Sequence, residues 1–328
     1  YIDNAYERYN HVKTLATGEQ PRVIIGEDGI FGKDSIYVSI SAQSKEEDVD
    51  TDTVEPLLKI SKHLVIEGTG GIGKSMLLRY LFLKTAMDGD YIPVLLTLRK
   101  ISNQTTDEAG KIDLFRLIDT CMAEFDGKLP EDQFKYSLNK GKYLFLLDGL
   151  DEVKEELASK TIEAIQVFCQ QYPKNPCIIT SRPRQNLMPL ETFTVVQSGA
   201  LRKEQAVELA SKLDPEDEKT DEFCRQLEED LFEKHKDFAE NPLLLGMMFL
   251  TFRRTNSIPD HLADFYGKTF DALYSLHDST KGTYQREFHC KELNEPSFRN
   301  LLAHFCFHSY FQEDYEFSKD SILSYIEK

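Results

Sequence analysis

The chain has 328 residues, of which 41% are hydrophobic, 11% aromatic and 29% charged, and it carries a net charge of −17. That is apolar material for about two or three folded domains and too much for a disordered chain. The acidic balance disfavours unspecific binding to nucleic acid or to an anionic membrane, since both need a positive field, and no run approaches the ~18 apolar residues of a membrane span.

In chain order, residues 1–60 read as a flanking segment in which Ile36–Ile40 alternates like a strand and 41–53 resembles an exposed loop. From residue 61 strands and helices alternate. Strands are predicted at His63–Glu67, Val94–Leu98, Tyr143–Asp148, Cys177–Thr180 and Phe193–Val196, and helices at 74–87, 112–124, 131–139 and 155–171. Continuous apolar strands separated by helices predict a parallel sheet covered on both faces. Beyond residue 200 only helices are predicted, at 203–212, 219–231, 233–239, 242–253, 259–275, 296–310 and 318–327. The acidic crowd between Asp214 and Asp237 reads as a solvated face.

Six cysteines, Cys121, Cys169, Cys177, Cys224, Cys290 and Cys306, form no C-x-x-C pair and read as free thiols of a reducing, cytoplasmic compartment. His304, Cys306 and His308 alternate, but residues two apart on a helix do not share a face, so no metal site is predicted there. There is no signal peptide. The chain starts at Tyr1 and stops at Lys328 inside an amphipathic pattern, as an excerpt of a longer protein would.

Two motifs carry chemistry. Gly68-Thr69-Gly70-Gly71-Ile72-Gly73-Lys74-Ser75 is a full G-x-x-x-x-G-K-[ST] phosphate loop between an apolar strand and a helix that opens with Met76. Its glycines let backbone N–H groups converge on phosphate oxygens, and the helix N-terminus adds its dipole. Lys74 reaches the β- and γ-phosphates and the Ser75 hydroxyl ligates Mg²⁺. Downstream, Tyr143–Glu152 reads Tyr-Leu-Phe-Leu-Leu-Asp-Gly-Leu-Asp-Glu. A buried strand thus delivers Asp148, the expected Mg²⁺ partner, to its carboxyl end, where open α/β sheets bind ligands. Asp151 and Glu152 are acids able to orient or deprotonate a water, with Asp151 slightly preferred. The next strand ends in Thr180-Ser181-Arg182-Pro183, which places the Arg182 guanidinium beside the phosphate loop, where it can sense a γ-phosphate.

These motifs, with Asn241-Pro242-Leu243-Leu244-Leu245 after them, resemble the ordered set of NACHT domains, of the STAND class of signalling ATPases within the AAA+-like P-loop proteins. The resemblance implies a parallel P-loop NTPase sheet with helices on both faces (61–199), a small helical domain (200–255) and the start of a winged-helix domain (256–328). It implies ATP or ADP bound with Mg²⁺, phosphates held by Gly68 to Ser75 with Met76 following, and metal held by Ser75 and Asp148. It further implies that Asp151 or Glu152 activates water, that Arg182 acts as first sensor and that Pro242 packs on adenine, with residues near Arg22-Val23 flanking the base. The family's winged-helix histidine is not identifiable; His304 and His308 lie on an early helix. Slow hydrolysis, domain rotation, homo-oligomerisation in response to a trigger, and a role in innate immune or antiphage defence are implied in the same way, with neither membrane nor nucleic acid as partner.

Other readings are a P-loop phosphotransferase and a DNA-associated AAA+-type ATPase. The long helical tail opposes the first and the net charge the second. A GTPase usually needs an Asn/Thr-Lys-x-Asp motif after a strand; the nearest match, Ser211-Lys212-Leu213-Asp214, ends a helical pattern and lacks the amide.

Overall fold

A computed structural model of the protein describes all residues except 14–21, 28–34, 45–46, 102–110, 128, 184–189, 191, 260–263, 271–294, 313–316, 318 and 327–328. The chain divides into two compact units, Tyr1–Leu273 and Tyr274–Lys328. The first unit begins with α1 (Ile2–Asn10), β1 (His11–Val12), β2 (Arg22–Val23), β3 (Ala42–Ser44), β4 (Glu47–Val49) and α2 (Glu55–Ile60). There follow β5 (His63–Glu67), α3 (Lys74–Asp88), β6 (Ile92–Thr97), α4 (Leu114–Ala123), α5 (Glu131–Lys140), β7 (Tyr143–Asp148), α6 (Glu155–Gln171), β8 (Cys177–Ser181) and β9 (Thr194–Ser198).

A seven-stranded sheet runs in the order β4-β3-β9-β5-β8-β7-β6. The five strands from β9 to β6 are parallel, and the hairpin β3-β4 is added antiparallel to β9. Strands β7 and β8 are buried almost end to end, as parallel strands covered on both faces must be. Tyr143, Phe145 and Leu147 point into one core layer with Ile118, Phe134, Ile162, Ile165 and Phe168 of α4, α5 and α6. The alternate side chains face α3, which packs on β6 and β7. The predicted strands and helices of this sheet region stand within two residues of their observed bounds.

The free edge at β6 is closed to further pairing. Its outward carbonyls at Pro93 and Leu95 accept from the Tyr1 hydroxyl (2.9 Å), the Tyr9 hydroxyl (3.3 Å) and the Cys121 thiol (3.3 Å). Pro93 has no N–H to offer there, which is how edge strands resist pairing with another chain.

Two expectations fail. Ile36–Ile40 is extended but joins no sheet, because side chains claim its carbonyls: Tyr37 O accepts from Lys212 Nζ (2.8 Å), Ser39 O from Gln205 Nε2 (2.7 Å) and Ile40 O from Thr51 Oγ1 (2.5 Å). The stretch 41–53, expected as a loop, holds the β3-β4 hairpin. Its exposed Gln43 and Asp48 are the polar outer face of an edge, where charge discourages aggregation.

The rest of the first unit is helical: α7 (Lys203–Leu213), α8 (Lys219–Gln226), α9 (Phe232–Lys234), α10 (Lys236–Ala239), α11 (Pro242–Thr255) and α12 (264–270). A π-helical stretch, Leu227–Leu231, joins α8 to α9. The predicted helix 233–239 is broken at His235, whose backbone (φ −123°, ψ 43°) leaves the helical region. Asn241 caps α11 by accepting from the amides of Leu243 (3.0 Å) and Leu244 (3.3 Å), with Pro242 in the first turn where its missing N–H costs nothing. Phe223 of α8 packs on Phe249 and Phe252 of α11 at 5.5 and 5.3 Å between ring centroids. The acidic run is not wholly a solvated face: Arg253 reaches back to Asp214 (2.9 Å) and Asp217 (3.4 Å).

In the second unit α13 (Glu295–Phe311) packs on α14 (Lys319–Ile326) through Phe305 and Tyr325. His304 and His308, four apart, do share a face, with Nε2 atoms 3.2 Å apart. Among the described residues no three potential ligands gather into a metal site, and no helix is long and apolar enough to cross a membrane.

Candidate nucleotide-binding site

The strand order sets the site. The loop follows β5 and Asp148 ends β7, with β8 between them, so Thr180, Ser181 and Arg182 emerge between the two motifs. Ser75 Oγ donates to Asp148 Oδ1 (2.9 Å), and Thr180 Oγ1 donates to the same oxygen (2.7 Å) while accepting from Gly149 N (2.9 Å). The Ser75 hydroxyl and the Asp148 carboxylate therefore meet at one point, a hard-oxygen pair suited to Mg²⁺. Lys74 Nζ is folded onto the loop itself, donating to Gly68 O (2.6 Å) and Thr69 O (2.9 Å). Partial burial lowers its pKa, with Asp151 opposing and Arg182 adding to the shift.

Arg182 clasps Asp151: its backbone amide donates to Oδ1 (3.0 Å) and its Nε lies 3.3 Å from Oδ2. The guanidinium also lies over Gly70, 3.4 Å from where a Cβ would stand. Glu152 is placed differently. Its carboxylate folds against Gly149, whose φ of +78° and missing Cβ leave room for it, and its nearest cation is Arg99 at 4.0 Å.

The helical module closes on the loop from the other side. Asn241 Nδ2 donates to Gly70 O (3.0 Å) and Leu243 N to Gly71 O (3.3 Å). A Cβ on Gly71 (φ +79°) would stand 2.7 Å from Leu243 Cβ, so only glycine permits this approach. Between the two sides lies a cavity of about 430 Å³. It is lined by the polar set Gly70–Met76, Asp148, Asp151, Glu152 and Arg182 and by the apolar Tyr37, Val38, Ile40, Leu209 and Pro242, of which Ile40 and Pro242 stand beside Gly73 of the loop. Gly68 and Thr69 stand behind the loop and meet Lys74 through their carbonyls. Arg22 and Val23 do not line the cavity; Val12, paired with Arg22 across the β1-β2 ladder, does.

A parallel sheet with a phosphate loop after its central strand and an acid at the end of the next strand but one defines a nucleotide-binding P-loop NTPase. Residues 62–217 match the NACHT domain family. Among solved structures it is similar to a Walker-type ATPase of Pyrococcus abyssi (14% identity over 84% of this chain and 85% of that one, TM-score 0.41). It is similar also to a STAND protein with a tetratricopeptide repeat sensor from Pyrococcus horikoshii (16% identity over 80% of this chain and 36% of that one, TM-score 0.35). No curated protein matches the chain.

Sequence reasoning missed three contributors. Thr180 was hidden inside an apolar run, although a hydroxyl one strand over from Asp148 is the available signal. The alternation at Tyr37 and Val38 predicts a strand, and Asn241 enters only as part of the Asn-Pro-Leu-Leu-Leu motif, with no contact to the loop expected of it. Thr180→Val tests the first. It leaves the Gly149 N–H buried without its acceptor and should lower unfolding stability by about 1–3 kcal/mol, read from urea titrations; an unchanged midpoint would deny Thr180 that role.

Proposed function

We propose that this protein is a nucleotide-dependent signalling switch that binds ATP or ADP with Mg²⁺ in the cavity and hydrolyses ATP slowly. The observation that carries the reading is one cavity lined both by the phosphate loop with its facing acids and by the apolar side chains of Tyr37, Val38, Ile40, Leu209 and Pro242. Phosphates lie against Gly70–Ser75, Mg²⁺ is held by Ser75 and Asp148, and Pro242 with Tyr37 packs on the base. Bound Mg²⁺ neutralises phosphate charge. Glu152 activates the water, because both oxygens of Asp151 already accept from Arg182. Asp151 then serves to aim Arg182 at the γ-phosphate.

The loop meets α11 directly through Asn241 and Leu243. A γ-phosphate that pulls on Gly70–Gly71 or on Arg182 thus biases the helical module, and a differential of ~1–3 kcal/mol between ATP and ADP suffices to shift a two-state hinge. Homo-oligomerisation on activation, and a place in innate immune or antiphage defence, follow from the NACHT family alone.

Calorimetric titration of the protein with ATP, ADP and GTP, with and without Mg²⁺, tests the reading. Mg²⁺-dependent ATP binding supports it, and heatless titrations with every nucleotide overturn it. Arg182→Ala should leave ADP affinity nearly constant while ATP affinity falls about fivefold or more, the loss of a charge-assisted contact; an unaltered ATP/ADP ratio removes the sensor role.

A further inference from the structure

The apolar lining of the cavity, the slot for the base in the reading above, has an unusual wall. Ile36–Ile40 belongs to no strand and meets β2 at its start, where Ile36 N donates to Val23 O (2.9 Å), yet Ile36, Tyr37, Val38 and Ile40 line the cavity. Its position is set by α7. Gln205 and Lys212, seven residues and two turns apart, lie on one helix face and donate to Ser39 O (2.7 Å) and Tyr37 O (2.8 Å). Leu209 and Leu213, on the same face, line the cavity.

Lys212 is 8% exposed, and its ammonium is held between Tyr37 O and Glu208 Oε1 (2.8 Å). A buried charge without such partners would be costly, so the site is built to keep it there. Gln205 is doubly used, since its Oε1 also accepts from Arg202 N (2.9 Å) at the start of α7. The wall is anchored on its far side too, by Tyr37 stacked on Tyr80 of α3 (4.0 Å, 9° between planes) and by Thr51 Oγ1 on Ile40 O. Ile40 also stands beside Gly73 of the phosphate loop, whereas the two α7 side chains hold Ser39 O and Tyr37 O.

We propose that Lys212 and Gln205 are positioning residues for the base: they strap the slot wall Ile36–Ile40 to α7, so that affinity for the base, but not for the phosphates, depends on α7 being in place. The idea rests on the nucleotide reading above and gives it a division of labour. The phosphate end belongs to the sheet and α11, and the base end is tuned from α7. A displacement of α7 releases the base while the phosphates remain cradled.

The test compares ATP with inorganic tripolyphosphate, which has the phosphates and no base, by calorimetry in the presence of Mg²⁺. Lys212→Met keeps the buried stem and removes the donor. Its affinity for ATP should fall about tenfold, that for tripolyphosphate should stay within about twofold, and Lys212→Arg should restore most of the loss. Gln205→Glu preserves the acceptor for Arg202 N and replaces the donor to Ser39 O by a carboxylate oxygen that this carbonyl repels; it should show the same split, and it decides the matter if Lys212→Met does not fold. Equal losses for both ligands, or no loss for either, overturn the strap. Wild-type protein that binds tripolyphosphate and ATP with equal affinity overturns it as well, with the phosphate site intact, whereas wild type that binds neither ligand overturns the nucleotide reading and the strap together.

Discussion

Lys74→Ala is expected to weaken ATP and ADP binding by about a hundredfold or more while the melting temperature changes little. Among the described residues three cations line the cavity, Lys13, Lys74 and Arg182, against three carboxylates, Asp148, Asp151 and Glu152. The wall is therefore balanced, and removing the ammonium leaves an acidic surface facing an anionic ligand. Each charge-assisted hydrogen bond to phosphate contributes about 1.5–3 kcal/mol, and in the proposed binding mode the ammonium serves two phosphates. In the present arrangement it only bridges Gly68 O and Thr69 O, carbonyls that water can reach in its absence, so stability is spared. Calorimetry and thermal melting separate the two effects; retained affinity would sink the phosphate-loop assignment.

The second large effect falls on turnover. Glu152→Gln should bind ATP as the wild type does and hydrolyse it about a hundredfold more slowly or worse, the usual contribution of a general base. Asp151→Asn should lose less than about tenfold in rate and instead blunt the ATP/ADP affinity ratio, as Arg182→Ala does, because its carboxylate is the partner that aims Arg182. Single-turnover rates with pre-bound ATP check both. If Asp151→Asn halts hydrolysis and Glu152→Gln does not, the roles exchange.

The role proposed for Glu152 departs from the sequence's slight preference for Asp151, and the reason lies in Arg182. Sequence places both acids after β7 but does not report that Arg182, on another strand, occupies one of them. Features written locally were legible. Tyr143–Asp148 is an unbroken apolar run ended by one acid, and strand and depth could be read from it. Ile36–Ile40 was misread because alternation signals a strand only where a neighbouring strand takes the carbonyls; here they are taken by side chains 175 and 166 residues away. The β3-β4 hairpin was missed because edge strands hide behind the polar residues that protect them. The winged-helix expectation for 256–328 and the helix expected at 259–275 fall about half on residues outside those described.

The capped flank at β6 has a bearing on crowding. An exposed row of amides and carbonyls is a template onto which another copy can crystallise a strand, and growth of that kind has no natural stop. With proline in the row and phenols plugging its acceptors, that direction is shut. Copies brought together at high local density can meet through side-chain surfaces, which dissociate, without seeding fibrils from this margin.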